Sequence, residues 1–152
     1  MVGALTNGWQ VSSILSARSG GYLTVTTGVD SALTGQNAQR ANQVLDDPFM
    51  PNPTYSAWLN PAAFAAPAPG TYGSMPLDAF KGPGRWNIDA NVSRNFRLTG
   101  SKQLQLRLEA FNLLNHQNPS NPVTTLSASN FGQVTSLSQA PRIIQVATKL
   151  SF

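Results

Sequence analysis

The sequence predicts an all-β chain, an antiparallel meander of about four long amphipathic strands joined by one tight turn and two long loops. Three observations carry that prediction. Apolar and polar residues alternate with a period of two over several stretches of about ten residues. Pro and Gly crowd the segments between those stretches. The charged fraction is only 11%, against about 25% for ordinary soluble domains, so Ser, Thr, Asn, Gln, Gly and Pro make up the polar surface.

The elements follow in chain order. In "NGWQVSSILSARSGGYLTVTTG", Trp9, Val11, Leu15 and Ala17 share one parity, with Ser13 the exception, while Gln10, Ser12, Ser16 and Arg18 share the other, joined by Ile14. This reads as a strand over about 9–26 with a kink at Gly20-Gly21. No periodicity persists through the loop at about 28–84, which holds Pro48, Pro51, Pro53, Pro61, Pro67, Pro69, Pro76 and Pro83. Short helical turns are expected near 55–59 and 61–64.

The clearest alternation is "GRWNIDANVSRNFRL", a strand over about 85–98. Trp86, Ile88, Ala90, Val92, Phe96 and Leu98 fall on one side, interrupted by Arg94; Arg85, Asn87, Asp89, Asn91, Ser93, Asn95 and Arg97 fall on the other. A helix would mix these two sets on one face. "TGSK" supplies a tight turn, with Gly100 free to take a positive φ. Alternation resumes over about 103–113, with Leu104, Leu106, Leu108 and Ala110 opposite Gln103, Gln105, Arg107 and Glu109. A polar loop at about 115–141 contains a short strand near 131–141. The last strand, about 142–152, carries Ile144, Val146, Thr148, Leu150 and Phe152 on one parity.

Which face is wet decides the class. Apolar rows ended by aromatics (Trp9 and Tyr22 on the first strand, Trp86 and Phe96 on the second, Phe152 on the last) with a polar opposite row form the pattern of a transmembrane β-barrel, whose outer band lies between aromatic girdles. The strand lengths meet the roughly 9–11 residues that a tilted strand needs to cross a bilayer. Placing both long loops outside the cell puts "TGSK" and Phe152 on the periplasmic side, in keeping with long extracellular loops and short periplasmic turns. Arg94 then lies near the periplasmic interface, where a long side chain can snorkel. The competing expectation is a soluble secreted β-sheet binding module, its apolar rows covered by a second sheet. Its ligand would meet the aromatic-rich loop of Phe49, Tyr55, Trp58, Phe64, Tyr72 and Phe80. The plainer role for those aromatics is to pack the loop on itself.

Other classes find little support. Ten Lys and Arg against six acids give a net charge of +4 without a basic run, so no nucleic-acid partner is expected. Zero cysteines exclude disulfide frameworks and thiol chemistry. No apolar run reaches the roughly 18 residues of a membrane-spanning helix. The opening "MVGALTNGWQ" does not read as a signal peptide. His116 stands without ligand spacing around it. The adjacent Asp46 and Asp47 are a weak hint of Ca²⁺. Asp89 and Glu109 share a parity with Arg85, Arg107 and Lys149, which suggests a lumen charge network rather than an acid–base pair. No enzyme activity, cofactor or metal is expected.

Four motifs are more specific. "NPAAF", the "GPG" before the alternating strand, "RLEAFNLLNH", and "PR" opening a Phe-terminated strand together resemble the C-terminal end of TonB-dependent-receptor-like outer-membrane proteins. The nearest type is the large Oar-like one, which carries a carboxypeptidase-regulatory-like domain. The resemblance covers nearly the whole chain. It implies residence in the bacterial outer membrane, contact with its lipid, and a plug and remaining barrel strands N-terminal to this segment. TonB would be engaged only through that N-terminal part. It also implies recognition of the terminal strand, through Ile144, Val146, Leu150 and Phe152, by the barrel-assembly machinery. Four strands are too few to close a barrel, which needs about eight, so an incomplete barrel is expected.

Overall fold

The computed structural model describes residues 7–152. The signal-peptide reading rests partly on residues 1–6, which lie outside the described residues. Ten strands follow one another: β1 (Trp9–Arg18), β2 (Tyr22–Leu23), β3 (Asn42–Gln43), β4 (Phe49–Thr54), β5 (Ala57–Leu59), β6 (Phe64–Ala65), β7 (Phe80–Lys81), β8 (Arg85–Arg97), β9 (Gln103–Phe111) and β10 (Ile143–Ser151). A single 3₁₀ turn, Pro61–Ala63, precedes β6, and no α-helix occurs among the described residues. The chain divides into two compact units, residues 1–17, 86–117 and 139–152 in one and 18–85 and 118–138 in the other.

The first unit holds the long strands, which form one sheet in the order β1-β8-β9-β10. β8 and β9 pair antiparallel from Ala90↔Ala110 to Arg97↔Gln103. β9 and β10 pair antiparallel from Ile143↔Phe111 to Ser151↔Gln103. The β8–β9 turn is the expected one: Gly100 has φ +74, and the Leu98 amide donates to the Lys102 carbonyl at 2.9 Å. The sheet is open, with β1 and β10 as its edges. This is the all-β, unclosed meander that the alternation predicts.

The second unit departs from the expected structureless loop. Leu23, Val25, Ala41, Leu59, Ala63, Phe64, Met75 and Phe80 form a buried core, with Phe49, Trp58, Leu126 and Phe131 packed against it. Residues 25–27 run through its centre. The Ala41 amide donates to the Val25 carbonyl, the Thr27 amide to Gln39, and the Thr26 amide to Thr124 (3.0, 2.7 and 3.0 Å). Phe80 meets Phe49 edge-on at 5.5 Å and tilts against Phe64 at 6.1 Å. Packing therefore claims four of the six loop aromatics, while Tyr55 and Tyr72 remain exposed.

Three local expectations are corrected. The first strand does not run to residue 26 in one sheet: β1 ends at Arg18, and β2 pairs with β7 in a separate ladder. The glycines let the backbone leave the sheet. Residues 55–59 form the turn and return strand of the β4–β5 hairpin rather than a helical turn. Residues 131–141 contain no strand; Leu137 makes a lone bridge to Pro119.

Candidate functional site: the two faces of the sheet and their Asn112 corner

The registers place like residues side by side across the strands. Val92, Leu108 and Val146 form one cross-strand row, Ala90, Ala110 and Ile144 another, and Phe96, Leu104 and Leu150 a third. In an antiparallel ladder, directly opposed residues share a face, so these rows merge into one apolar surface. Little in the unit covers it: all ten residues of β1 and all nine of β10 are exposed. Val146 is 75% exposed and Phe152 82%.

Aromatics stand at both ends of this surface. At the turn end, the Arg94 guanidinium lies 5.1 Å from the Trp9 ring and 4.6 Å from the Phe96 ring. The charge that interrupts the apolar row is thus laid over aromatic faces, where a cation is attracted. Lys102 sits 5.8 Å from the Phe152 ring at the same end. At the opposite end the Trp86 indole stacks on His116, with ring centroids 4.1 Å apart. The contact between Lys102 and the last residue could not be read from alternation.

The polar face carries Asp89, Arg107, Glu109 and Lys149 on the parity that the sequence assigns them. Arg107 pairs with Glu109 at 3.5 Å and donates to the Gln105 side-chain oxygen, Oε1, at 3.2 Å. The Asn91 side-chain Nδ2 donates to the same Glu109 oxygen at 3.2 Å. An exposed pair of this kind contributes at most about 1 kcal/mol. Lys149 stands opposite Gln105. Arg85, at the first position of β8, joins no bond of this network. Asp89 is not drawn to Glu109; it accepts from the Asn87 side chain at 2.7 Å and from the backbone N–H of Asn112 at 2.9 Å.

That last bond leads to a residue the sequence reading passed over. Asn112 is 4% exposed and has φ +51, as does Asn115. Asn tolerates this left-handed conformation better than other residues with a Cβ. The strand ends at Phe111 because the chain turns here. The Asn112 carboxamide accepts from the His116 amide (2.9 Å) and donates to the carbonyls of His116 and Ala140 (3.0 and 3.1 Å). The Asn115 side chain accepts from the Arg142 amide at 3.0 Å, and Arg142 in turn donates to the Leu113 carbonyl at 3.3 Å. "NLLNH" and "PR", two motifs quoted for their resemblance, are therefore one hydrogen-bonded corner that joins β9 to β10.

The other sequence candidates take structural places. The Asp47 carboxylate accepts from the Phe49 amide, closing a local turn, and the Asp46 backbone carbonyl accepts from Gln43. Among the described residues no group of three His, Cys, Asp or Glu is gathered for a metal.

Comparison with known proteins agrees with the sheet. A family model described as an outer membrane beta barrel domain matches residues 1–145. No curated protein and no solved structure matches the chain. The match covers nearly the whole sequence, and it replaces the soluble secreted alternative. This chain belongs to the outer-membrane β-barrel domain family and forms barrel wall in the bacterial outer membrane.

Proposed function

We propose that the chain is the C-terminal wall segment of a TonB-dependent-receptor-like transporter of the Oar-like type, with a structural rather than an enzymatic role. The observation that carries this reading is the single apolar surface made in register by half-buried Val92, exposed Leu108 and Val146, and their neighbours. On a soluble protein a contiguous apolar patch of this extent marks an interaction surface or an aggregation liability; against lipid it is the outer wall. The opposite face, with Asp89, Arg107, Glu109 and Lys149, lines the lumen. The long loops lie outside the cell, and the "TGSK" turn and Phe152 face the periplasm. Further strands from the rest of the barrel complete the wall along the free edges of β1 and β10, and a plug fills the lumen. The barrel-assembly machinery reads Ile144, Val146, Leu150 and Phe152, and TonB acts only on the N-terminal part.

The cysteine-free sequence makes the test direct. Single substitutions Val146→Cys and Leu108→Cys, against Gln145→Cys and Gln105→Cys, are placed in the chain reconstituted into lipid vesicles. A water-soluble maleimide is expected to label the second pair and spare the first. Equal labelling of all four positions would remove the lipid-wall reading. Deletion of Phe152 in the full-length parent is expected to lower its outer-membrane level sharply, and an unchanged level would remove the assembly role.

A further inference from the structure

The wall reading leaves two arginines and one motif, "GPG", without a role, and the structure brings them together. The Asn95 amide donates to the Gly8 carbonyl at 2.9 Å, which sets the register of β1 against β8. Counted along that antiparallel register, Arg18 at the end of β1 stands opposite Arg85 at the start of β8. Both lie on the polar parity. Opposed like charges destabilise a sheet pair, and neither guanidinium is paired with a carboxylate among the described residues.

Arg18 and Arg85 line one cavity of about 520 Å³, with Ser19, Ser120, Asn121 and Ser138 as neutral donors around it and no acidic residue in its lining. Its frame is stiff. The Gly82 amide donates to the Gly21 carbonyl at 2.8 Å, and a Cβ on Gly20 would collide with the Gly82 carbonyl oxygen. "SGG" and "GPG" thus cross backbone to backbone, and this crossing fixes the ends of the two strands that carry the arginines.

We propose that this cavity binds the oxyanion group, a carboxylate, phosphate or sulfate, of a small solute. A guanidinium presents its donors as a planar fork that matches two oxygens of such a group. An anion seated between Arg18 and Arg85 converts their repulsion into two attractions, and the serine and asparagine side chains complete its shell. The preference for a solute over a lipid headgroup rests on the wall reading, because the polar parity faces the lumen. The anion site itself does not depend on that reading.

The test uses the full chain folded in a nonionic maltoside detergent, with thermal unfolding followed at constant ionic strength. Sodium phosphate and sodium citrate are compared with sodium chloride, and a third arm dopes the micelles with phosphatidylglycerol. Phosphate or citrate is expected to raise the unfolding temperature beyond chloride. Calorimetric binding of the same anions should weaken by about tenfold in Arg18→Gln or Arg85→Gln, the scale of one lost charged hydrogen bond. Arg97→Gln, on the same face at the other end of β8, is expected to bind as the parent does. A response only to phosphatidylglycerol that these two variants abolish assigns the anion to a lipid and overturns the solute preference. Equal responses in the parent, Arg18→Gln and Arg85→Gln overturn the site. Without anion, Arg85→Gln is expected to unfold no earlier than the parent, since it removes a repulsion; earlier unfolding would show that Arg85 has a partner within the fold and overturn the premise. The wall reading is scored separately, by the cysteine labelling.

Discussion

The loop unit buries its apolar side chains, and the sheet displays them. Val25, Ala41, Ala63 and Met75 have no exposed surface, whereas Val11, Leu15, Ile144 and Val146 on the sheet are mostly exposed. Both regions are all-β and both are poor in charge, so composition alone does not separate them. The difference lies in where each finds an apolar environment. Burial removes about 25 cal/mol for each Å² of apolar surface taken from water. The loop unit obtains this from its own core. The sheet, on the wall reading proposed above, obtains it from lipid and from further barrel strands along its two edges.

The largest expected effect sharpens that separation. Phe64→Ala removes a ring that meets both Phe80 and Phe131 and should cost the loop unit about 3–5 kcal/mol. Hydrogen exchange should show lost protection at Ala41 and Met75, with the β8–β10 amides unchanged. Lost protection in the sheet as well would mean that the two regions do not fold separately.

Next comes the sheet itself. Val146→Arg should cost about 2–4 kcal/mol if that position faces the middle of a bilayer, measured by urea unfolding in vesicles. Gln145→Arg, one residue away on the other face, should change little. Similar costs at both positions would erase the distinction between the faces.

A smaller effect is expected at the corner. Asn112→Ala leaves the His116 amide and two carbonyls without their partner, at about 1–3 kcal/mol for a buried unsatisfied group. Raised amide exchange at His116 and in β10 is the measurement, and unchanged exchange would reduce Asn112 to an ordinary loop residue.

The smallest lies in the loop unit and depends on pH. Asp30 accepts from the amides of Thr34 and Gly35 and from the Gln39 side chain. The Thr34 amide, with lesser help from Gly35 and Gln39, holds its carboxyl below the ordinary value against an opposing effect of desolvation. A carboxyl lowered on folding stabilises the fold above its unfolded pKa and loses that contribution as pH falls through the folded value. The Gly35 amide shift should therefore move in acid, below the ordinary carboxylate range of about 3.9, and the step should vanish in Asp30→Asn.

The long strands were legible because alternation is local: each residue of β8 reports its own face. Alternation extends the first strand too far, since Tyr22 and Leu23 keep β-forming character beyond Gly20-Gly21 while pairing with Lys81 and Phe80. The loop core was illegible for the opposite reason. Val25, Ala41, Leu59 and Met75 are distant in sequence and show no period, and only their shared packing unites them. Parity puts Asp89, Arg107 and Glu109 on one face but does not say which of them meet; Arg107 reaches Glu109, and Asp89 does not. Asn112 was passed over because polarity reports nothing about a positive φ.

The corner has one more consequence, for divergence and engineering. Asn112, Asn115 and Arg142 tie the end of β9 to the start of β10, so the alignment of those strands is set before the intervening loop is counted. Residues between the tie points can be inserted, deleted or exchanged without moving the final strand by one step, a slip that would turn every side chain to the wrong face. A foreign peptide grafted between the tie points therefore leaves the register of the final strand alone, provided that it spares Leu126 and Phe131, which pack against the loop core.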